Sequence, residues 1–335
     1  MRVSLKAIAE RVGVTEAAVS MALRNTGTIS AKRRKQIIDM ARELNYVPNF
    51  VARGLSTGKS QLIGFVTATS YVEVSAHLMD RFELQIRDHH YQMIGSFHQG
   101  LQDLEKKNIQ DLIGRRADGV VGFPVSKTHC ASWRILKEAK IPFVIFNESA
   151  PFPHNHVNVD IEDGARQMVD HLIHKGRRRL AFLCTGADSL SVQARLCGWR
   201  KACQAHRLDF DRFPLFATTQ IGSKELIHRL ITEFLRCKKR IDGVVAANDM
   251  LALAVLQALH RKGVSVPKEV AVIGFDDSYI ASLLPIPLTS IRQPIEEAAY
   301  YASHILQQQI ANPTTDYQHV LLKPQLIERE TTAVI

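Results

Sequence analysis

A chain of 335 residues is too long for one ordinary domain, and its 46% hydrophobic content is sufficient for two or three packed cores. No apolar run approaches the roughly 18 residues of a spanning helix, and the first residues lack the apolar segment of a signal peptide, so we expect a cytosolic protein. The net charge of +10 is uneven, because residues 1–60 carry 11 Lys and Arg against 4 Asp and Glu, whereas the rest carry 32 against 29. A basic end on a nearly neutral body indicates a polyanionic partner.

The first predicted elements are two short amphipathic helices that meet at a turn, Gly13-Val14, as in a helix-turn-helix. Ser4 and Thr15 are placed to cap them. One face of the first helix is apolar: Leu5, Ile8, Ala9 and Val12. The second helix has an inner stripe of Ala18, Val19, Ala22 and Leu23. Its outward face would lie in a major groove: Glu16, Ala17, Ser20, Met21 and Arg24. Any small orthogonal helix pair gives this pattern, so the helices alone do not establish DNA binding.

A third helix after Ser30 would complete a small core with Ile37, Ile38, Ala41 and Leu44. The segment from Asn49 to Ser56 that follows is long enough for about two helical turns, too few to be stable alone in water. From Leu62 onward, short apolar runs alternate with amphipathic helices. Seven candidate strands begin at Leu62, Gln92, Gly119, Phe143, Arg179, Gly243 and Val270. Such alternation predicts parallel sheets, and two repeats of it predict two α/β lobes with a crevice between them.

Several motifs are weaker than they first look. Ser56 to Ser60 resembles a phosphate-binding loop, but only three residues separate Gly54 from Gly58, and the segment runs from helix to strand. The histidine pairs His154/His156 and His171/His174 lack a Cys or carboxylate at ligand spacing, which favours ordinary loop or surface histidines. The cysteines are scattered and are expected to be small apolar residues in a reducing compartment: Cys130, Cys184, Cys197, Cys203 and Cys237.

Polar residues follow three of the predicted strands. Asn248-Asp249 ends one, Asp276-Asp277 another, and Asn147-Glu148 a third. Polar side chains that converge on a crevice can bind several hydroxyl groups, and an Arg such as Arg195 can hold a carboxylate. Asp after a strand is equally common as a turn or cap residue, so both interpretations stay open at this point.

The whole chain resembles the LacI/GalR family of transcription regulators. The resemblance rests on segments spread from end to end, among them IAERVGVTEAAVS, ELNYVPNFVARGL, AANDMLALAVLQAL, VPKEVAVIGFDDS and PLTSIRQP. It implies an all-α helix-turn-helix headpiece over residues 1–48, a hinge helix and linker over 49–60, and a two-lobed, periplasmic-binding-protein-like α/β core over 61–335. The N-terminal lobe would span about 61–159 and 291–320, and the C-terminal lobe about 160–290 and 321–335.

Matched position by position, the family's DNA-contacting sites fall on Ser4, Thr15, Glu16, Ala17, Ser20, Met21, Arg24, Asn49, Ala52, Arg53 and Leu55. Leu55 matches an apolar wedge inserted into the minor groove. The family's effector contacts fall on Tyr71, Phe123, Asn147, Arg195, Asn248 and Asp276. This chain departs from the family pattern at Ala7, which stands where an acidic residue usually completes the capping box with Ser4. It also departs in the segment TATSYVEVSAH and at Ile221, and these two departures leave the chemistry of the effector open.

The resemblance therefore implies a sequence-specific DNA-binding repressor that binds a near-palindromic operator as a homodimer, with an activator or dual regulator of the same family as the alternative. A small polar effector in the crevice would control it, and no cofactor, metal or membrane is implied. A solute-binding protein of the transport type is the main rival, and the basic headpiece counts against it. An enzyme would need a nucleophile–base pair, a metal cluster or a phosphate loop, and the sequence has no such motif.

Overall fold

The computed structural model describes residues 3–48, 54, 58–69, 73–125, 131–147, 150–187, 189–218 and 224–333. The predicted hinge contacts Asn49, Ala52, Arg53 and Leu55 lie outside these residues, as does Tyr71. The chain divides into two compact units, residues 1–60 and 61–335. Across the described ranges, every helix is too short or too polar to cross a membrane.

The described part of the first unit is a three-helix headpiece, α1 (Leu5–Val12), α2 (Glu16–Leu23) and α3 (Ala31–Glu43). Each helix begins after its predicted cap, because the hydroxyls of Ser4, Thr15 and Ser30 accept hydrogen bonds from the backbone N–H three residues later, at 3.3, 3.2 and 3.4 Å. The buried core is Ile8, Ala9, Val19, Ala22, Ile37 and Ala41. The prediction for Ile38 was wrong. It is half-buried outside this cluster, since consecutive helical residues point about 100° apart and Ile37 takes the inner position.

The second unit has two lobes, each built on one six-stranded sheet. The N-terminal lobe comprises β1 (Leu62–Thr67), α4 (Glu73–Arg87), β2 (Gln92–Phe97), α5 (Gln102–Gly114), β3 (Gly119–Gly122), α6 (Ala131–Glu138), β4 (Phe143–Phe146), β5 (Asn155–Val159), α11 (Ile295–Ala311) and β11 (His319–Leu322). Its strands are all parallel, in the order β11-β5-β4-β3-β1-β2.

The C-terminal lobe comprises α7 (Ile161–His174), β6 (Leu180–Thr185), α8 (Leu190–Ala205), β7 (Leu215–Thr218), α9 (Lys224–Arg236), β8 (Gly243–Ala246), α10 (Asp249–Arg261), β9 (Ala271–Asp276), β10 (Thr289–Arg292) and β12 (Gln325–Ile327). The strand order is β12-β10-β9-β8-β6-β7, and β12 alone among these strands runs antiparallel, against β10. Short 3-10 helices occur at Phe210–Arg212, Tyr279–Ser282 and Glu330–Thr332.

The predicted α/β class and all seven predicted strands are confirmed. The chain crosses between the lobes three times, after β5, after β10 and after β11. β10 ends at Arg292 and β11 at Leu322, so each strand runs two residues past the boundary expected at 290/291 or 320/321. No composition shift marks these crossings, because the strands continue directly into the connecting segments.

Candidate DNA interface and effector crevice

The outward face of α2 has the predicted residues, but not all of them are equally exposed. Glu16, Ala17 and Arg24 are exposed, whereas Ser20 and Met21 are half-buried. Nε of Arg24 donates to the carbonyl of Ser20 at 3.2 Å. The side chain of Met21 does not project straight outward, because its thioether lies against Gly27 in the loop after the helix.

The caps Ser4 and Thr15 retain hydrogen-bonding capacity beside this face. Each hydroxyl oxygen accepts from a helix N–H, at 3.3 Å from Ala7 and 3.2 Å from Ala18. A hydroxyl has one donor and two acceptor positions, so the O–H of a cap can still donate to a phosphate oxygen. The cap role and the predicted DNA-contact role are therefore chemically compatible.

In the core unit, Arg195 and Asp276 converge at the carboxyl end of the C-terminal sheet. Arg195 lies on α8 and is only 6% exposed, and its guanidinium stands 4.1 Å from the centre of the Phe275 ring. Nη2 of Arg195 is 3.6 Å from Oδ1 of Asp276, the last residue of β9. This buried pair of opposite charges has the chemistry to bind the polar groups of a ligand.

Asp276 is held in a strained and strongly polar setting. Its φ of +112° lies in the left-handed region, which non-glycine residues rarely adopt. Its Oδ1 also accepts a hydrogen bond from Nε2 of Gln293 at 2.7 Å. Burial raises the pKa of Asp276 to about 6, although Arg195 and Gln293 act to lower it. An unusual backbone conformation and a buried carboxyl with a perturbed pKa are typical of a functional residue.

The neighbouring strand-end aspartates have structural partners instead. Asp249 is buried, and its carboxylate accepts from the hydroxyl of Ser290 at 2.6 Å and the N–H of Ser278 at 2.7 Å. Burial, reinforced by Asp276, raises the pKa of Asp249 to about 7. Asp277 pairs with Arg292 at 2.7 Å and Arg329 at 2.6 Å. These two carboxylates fix the loop after β9, on which Asp276 depends for its position.

Asn248 and Asn147 both use their side-chain oxygens to hold the backbone. Oδ1 of Asn248 caps α10 by accepting from the N–H of Leu251 at 2.9 Å. Oδ1 of Asn147 accepts from the N–H of Val159 at 2.9 Å and so ties the end of β4 to β5. In each amide the NH₂ group remains as the donor for a ligand.

Phe123 lies at the end of β3, within an aromatic cluster of the N-terminal lobe. Its ring centre is 5.2 Å from that of Phe146 and 6.4 Å from that of Phe65. Since Phe123 is half-buried, the cluster has an apolar surface that is still accessible. The predicted polar contacts therefore come mostly from the C-terminal lobe, and Phe123 supplies an apolar surface from the other.

Two residues of the crevice were not predicted. Gln293 is 5% exposed, lies in the crossing between β10 and α11, and binds Asp276. Glu73, at the start of α4, accepts a hydrogen bond from the N–H of Tyr279 at 2.8 Å and so connects the two lobes. Gln293 stands in the quoted segment PLTSIRQP, whose resemblance could have marked it, whereas nothing in the sequence marked Glu73.

The prediction that the paired histidines are loop or surface residues was wrong for His156, which lies on β5, and for His171, which is buried on α7, because each belongs to a packed element. His156 on β5 stacks on His319 of β11, with ring centres 4.1 Å apart and planes 12° apart. Nε2 of His171 lies 2.7 Å from the hydroxyl of Thr332. Within the described ranges, no group of three or more His, Cys, Asp or Glu residues is arranged to hold a metal ion.

Comparisons with known proteins cover both units. A family profile of bacterial regulatory proteins, lacI family, matches residues 4–49, and a periplasmic binding protein-like domain matches 169–332. The ribose operon repressor of Escherichia coli K12 is 27% identical over 330 residues, which cover 97% of this chain and 98% of the repressor. The HTH-type transcriptional regulator CelR of Thermobifida fusca is 27% identical over 98% of both chains.

A solved structure of the lac repressor dimer, bound to operator and the anti-inducer ONPF, matches all of this chain and all of that one. The TM-score is 0.87 at 25% sequence identity. The expected headpiece and two-lobed core are thus both present in the order found in that repressor. The profile, sequence and structure matches agree across both units: the chain has a lacI-family DNA-binding domain and a periplasmic-binding-protein-like domain, and it resembles LacI-family repressors along its whole length.

Proposed function

We propose that this protein is a transcriptional repressor that binds a near-palindromic operator as a homodimer and responds to a small polar effector. One observation carries the proposal: a single chain combines a capped, outward-facing recognition helix in a basic unit with a crevice in which Arg195 and Asp276 meet. The names of two relatives, a ribose operon repressor and a lac repressor bound to operator, favour repression over activation.

The exposed face of α2 would read base edges in the major groove. The Glu16 carboxylate can accept from the amine of cytosine, and Ala17 and Met21 can contact the methyl group of thymine. The hydroxyls of Ser4, Thr15 and Ser20, with Arg24, are suited to phosphate contacts. The basic charge of residues 1–60 would supply most of the non-specific affinity.

The dimer would form through an apolar surface of the C-terminal lobe. Met250 on α10 is 52% exposed, and Leu283, after β9, is 60% exposed. The same lobe has a groove of about 310 Å³, lined by Leu253, Leu256, Gln257, His260, Val264, Val266, Leu284, Pro285 and Ile286. An apolar patch of this kind is typical of a protein–protein interface. A second copy is the expected occupant, because two headpieces related by a two-fold axis match a palindromic site.

The effector would act by binding one arrangement of the lobes more tightly than another. Ligand groups that bond to Arg195 and Asp276 on one lobe and lie against Phe123 on the other would favour closure. Closure would also keep the bond between Glu73 and Tyr279, which spans the lobes. The resulting shift of the N-terminal lobes would change whether two hinge segments can pair on DNA. On this proposal the protein is a cytoplasmic regulator without catalytic activity.

The proposal is tested with the purified full chain and a pool of random DNA duplexes. We expect selection to enrich an inverted repeat, with each half read by one headpiece. A panel of pentoses, hexoses, disaccharides and nucleobases is then screened for a tenfold or larger change in operator affinity. Selection that enriches no repeat would refute the DNA-binding role. A reporter whose transcription rises when the protein is supplied would assign activation in place of repression.

A further inference from the structure

The loop that follows the recognition helix lies directly against the side chain of Met21. Gly27 in this loop has a left-handed φ of +73°, and a Cβ placed on it would lie 2.7 Å from Sδ of Met21 and 3.5 Å from its Cγ. Heavy atoms in favourable contact are about 3.5–4 Å apart. The thioether therefore occupies the space in which any side chain at position 27 would begin.

The loop is fixed on both sides of this contact. The N–H of Thr26 donates to the carbonyl of Met21 at 3.0 Å, which ties the loop to the end of α2. From α3, the guanidinium of Arg34 donates to Oδ1 of Asn25 and, at 3.5 Å, to the carbonyl of Gly27. Because the loop is anchored to two helices, its backbone at Gly27 is held in place, so a side chain added at position 27 would displace Met21.

From this geometry we propose that Gly27 is a specificity-determining residue. Because it has no Cβ, the side chain of Met21 can pack against it and is held in one orientation on the operator-reading face. The inference rests on the proposed DNA-binding role of that face. Met21 is one helical turn after Ala17, so both belong to the same face. An unbranched thioether has three rotatable bonds and reads a base selectively only when its orientation is restricted.

The decisive variant is Gly27→Ala, and the chain supplies a matched control in Gly13→Ala. Gly13 has nearly the same backbone conformation, φ +71°, but a Cβ there would meet nothing within 4 Å. The two substitutions therefore carry similar backbone strain, and Gly27→Ala alone displaces Met21. Selection from random duplexes should show a fivefold or larger loss of base discrimination at one position of each half-site for Gly27→Ala. Gly13→Ala should keep the wild-type preferences.

A double-variant cycle tests whether the effect passes through Met21. In Met21→Ala the nearest atom to a new Cβ at position 27 would be the Cβ of residue 21, at 3.6 Å, which is ordinary contact. Adding Gly27→Ala to Met21→Ala should then change the base preference no further. Gly27→Asn supplies the same Cβ with less backbone strain and keeps the test valid if Gly27→Ala folds poorly.

The possible results separate this inference from the proposed function. If wild-type protein enriches no DNA motif, the proposed function and this inference are both refuted. If wild-type protein enriches a motif and Gly27→Ala and Gly27→Asn enrich the same motif with the same weights, only the role of Gly27 is refuted. An equal loss of affinity for all DNA sequences would also refute it, because a residue that orients Met21 should affect the preference at one base position.

Discussion

Replacing Asp276 by Asn should make the protein more stable at neutral pH while it impairs the response to effector. Burial raises the pKa of Asp276 from 3.8 to about 6 even though Arg195 lies 3.6 Å away. A group whose pKa is higher in the folded state stabilises that state only when protonated, so its contribution is complete below pH 3.8 and is lost as the pH rises through 6. Asn resembles the protonated acid and keeps an oxygen that can accept from Gln293.

The size of the effect follows from the same shift. At about 1.4 kcal/mol for each pKa unit, ionised Asp276 lowers the free energy of unfolding at pH 8 by about 2–3 kcal/mol. The lower value allows for the 14% of the side chain that remains exposed. Near pH 4.5 the wild-type carboxyl is mostly protonated when folded, and the difference from Asp276→Asn should shrink to about 1 kcal/mol.

Urea unfolding of wild type and Asp276→Asn at both pH values measures this difference. Asp277→Asn is the matched control, because the adjacent carboxylate is paired with Arg292 and Arg329 and its loss should destabilise the fold. If Asp276→Asn is less stable than wild type at pH 8, the attraction to Arg195 exceeds the burial cost and the reasoning fails. Asp276→Asn should still bind operator, and unchanged effector affinity would refute the crevice assignment.

Three further outcomes are expected. Leu256→Asp should give monomers in analytical ultracentrifugation, because it places a charge in the apolar groove of the proposed dimer surface. Gln257→Asp, which replaces an exposed polar residue of the same groove, should stay closer to wild type. His156→Phe should reduce the loss of stability between pH 6.5 and 4, since burial and His319 lower the pKa of His156 to about 4, and unchanged acid sensitivity would contradict this. Leu55→Ala should weaken operator binding far more than binding to random DNA, as measured by titration of both; equal losses would exclude the wedge role.

Two of the strands that the sequence predicted show the simplest pattern. β3 and β4, with the sequences GVVG and FVIF, are buried at every position and have no polar residue. β5 has the sequence NHVNV, in which Asn155 and His156 interrupt the apolar pattern, and β12 has only three residues. These strands form because neighbouring strands provide hydrogen-bond partners, and a local pattern does not contain that information.

The crevice was predicted less completely, for a related reason. The pairs Asn248-Asp249 and Asp276-Asp277 look alike in sequence, yet their side chains have different partners. Asp249 binds Ser278 and Ser290, and Asp277 binds Arg292 and Arg329, while Asp276 faces Arg195. Which member of a pair points into the crevice depends on the backbone after the strand, where Asp276 has the unusual φ of +112°. Glu73 could not be predicted at all, because its partner, Tyr279, is 206 residues away in the chain.

The bond between Asp276 and Gln293 suggests how an effector could act beyond the crevice. Gln293 lies in the crossing that connects β10 of the C-terminal lobe to α11 of the N-terminal lobe. The amide of Gln293 donates to Asp276, whose other partner is Arg195. A ligand that binds the Asp276 carboxylate would therefore alter the hydrogen bond between Asp276 and Gln293. Since α11 packs against the N-terminal sheet, we expect a change at Gln293 to reach the N-terminal lobe. Because burial raises the pKa of Asp276 in spite of its bonds to Arg195 and Gln293, a ligand group that donates to this carboxylate would stabilise its charged form.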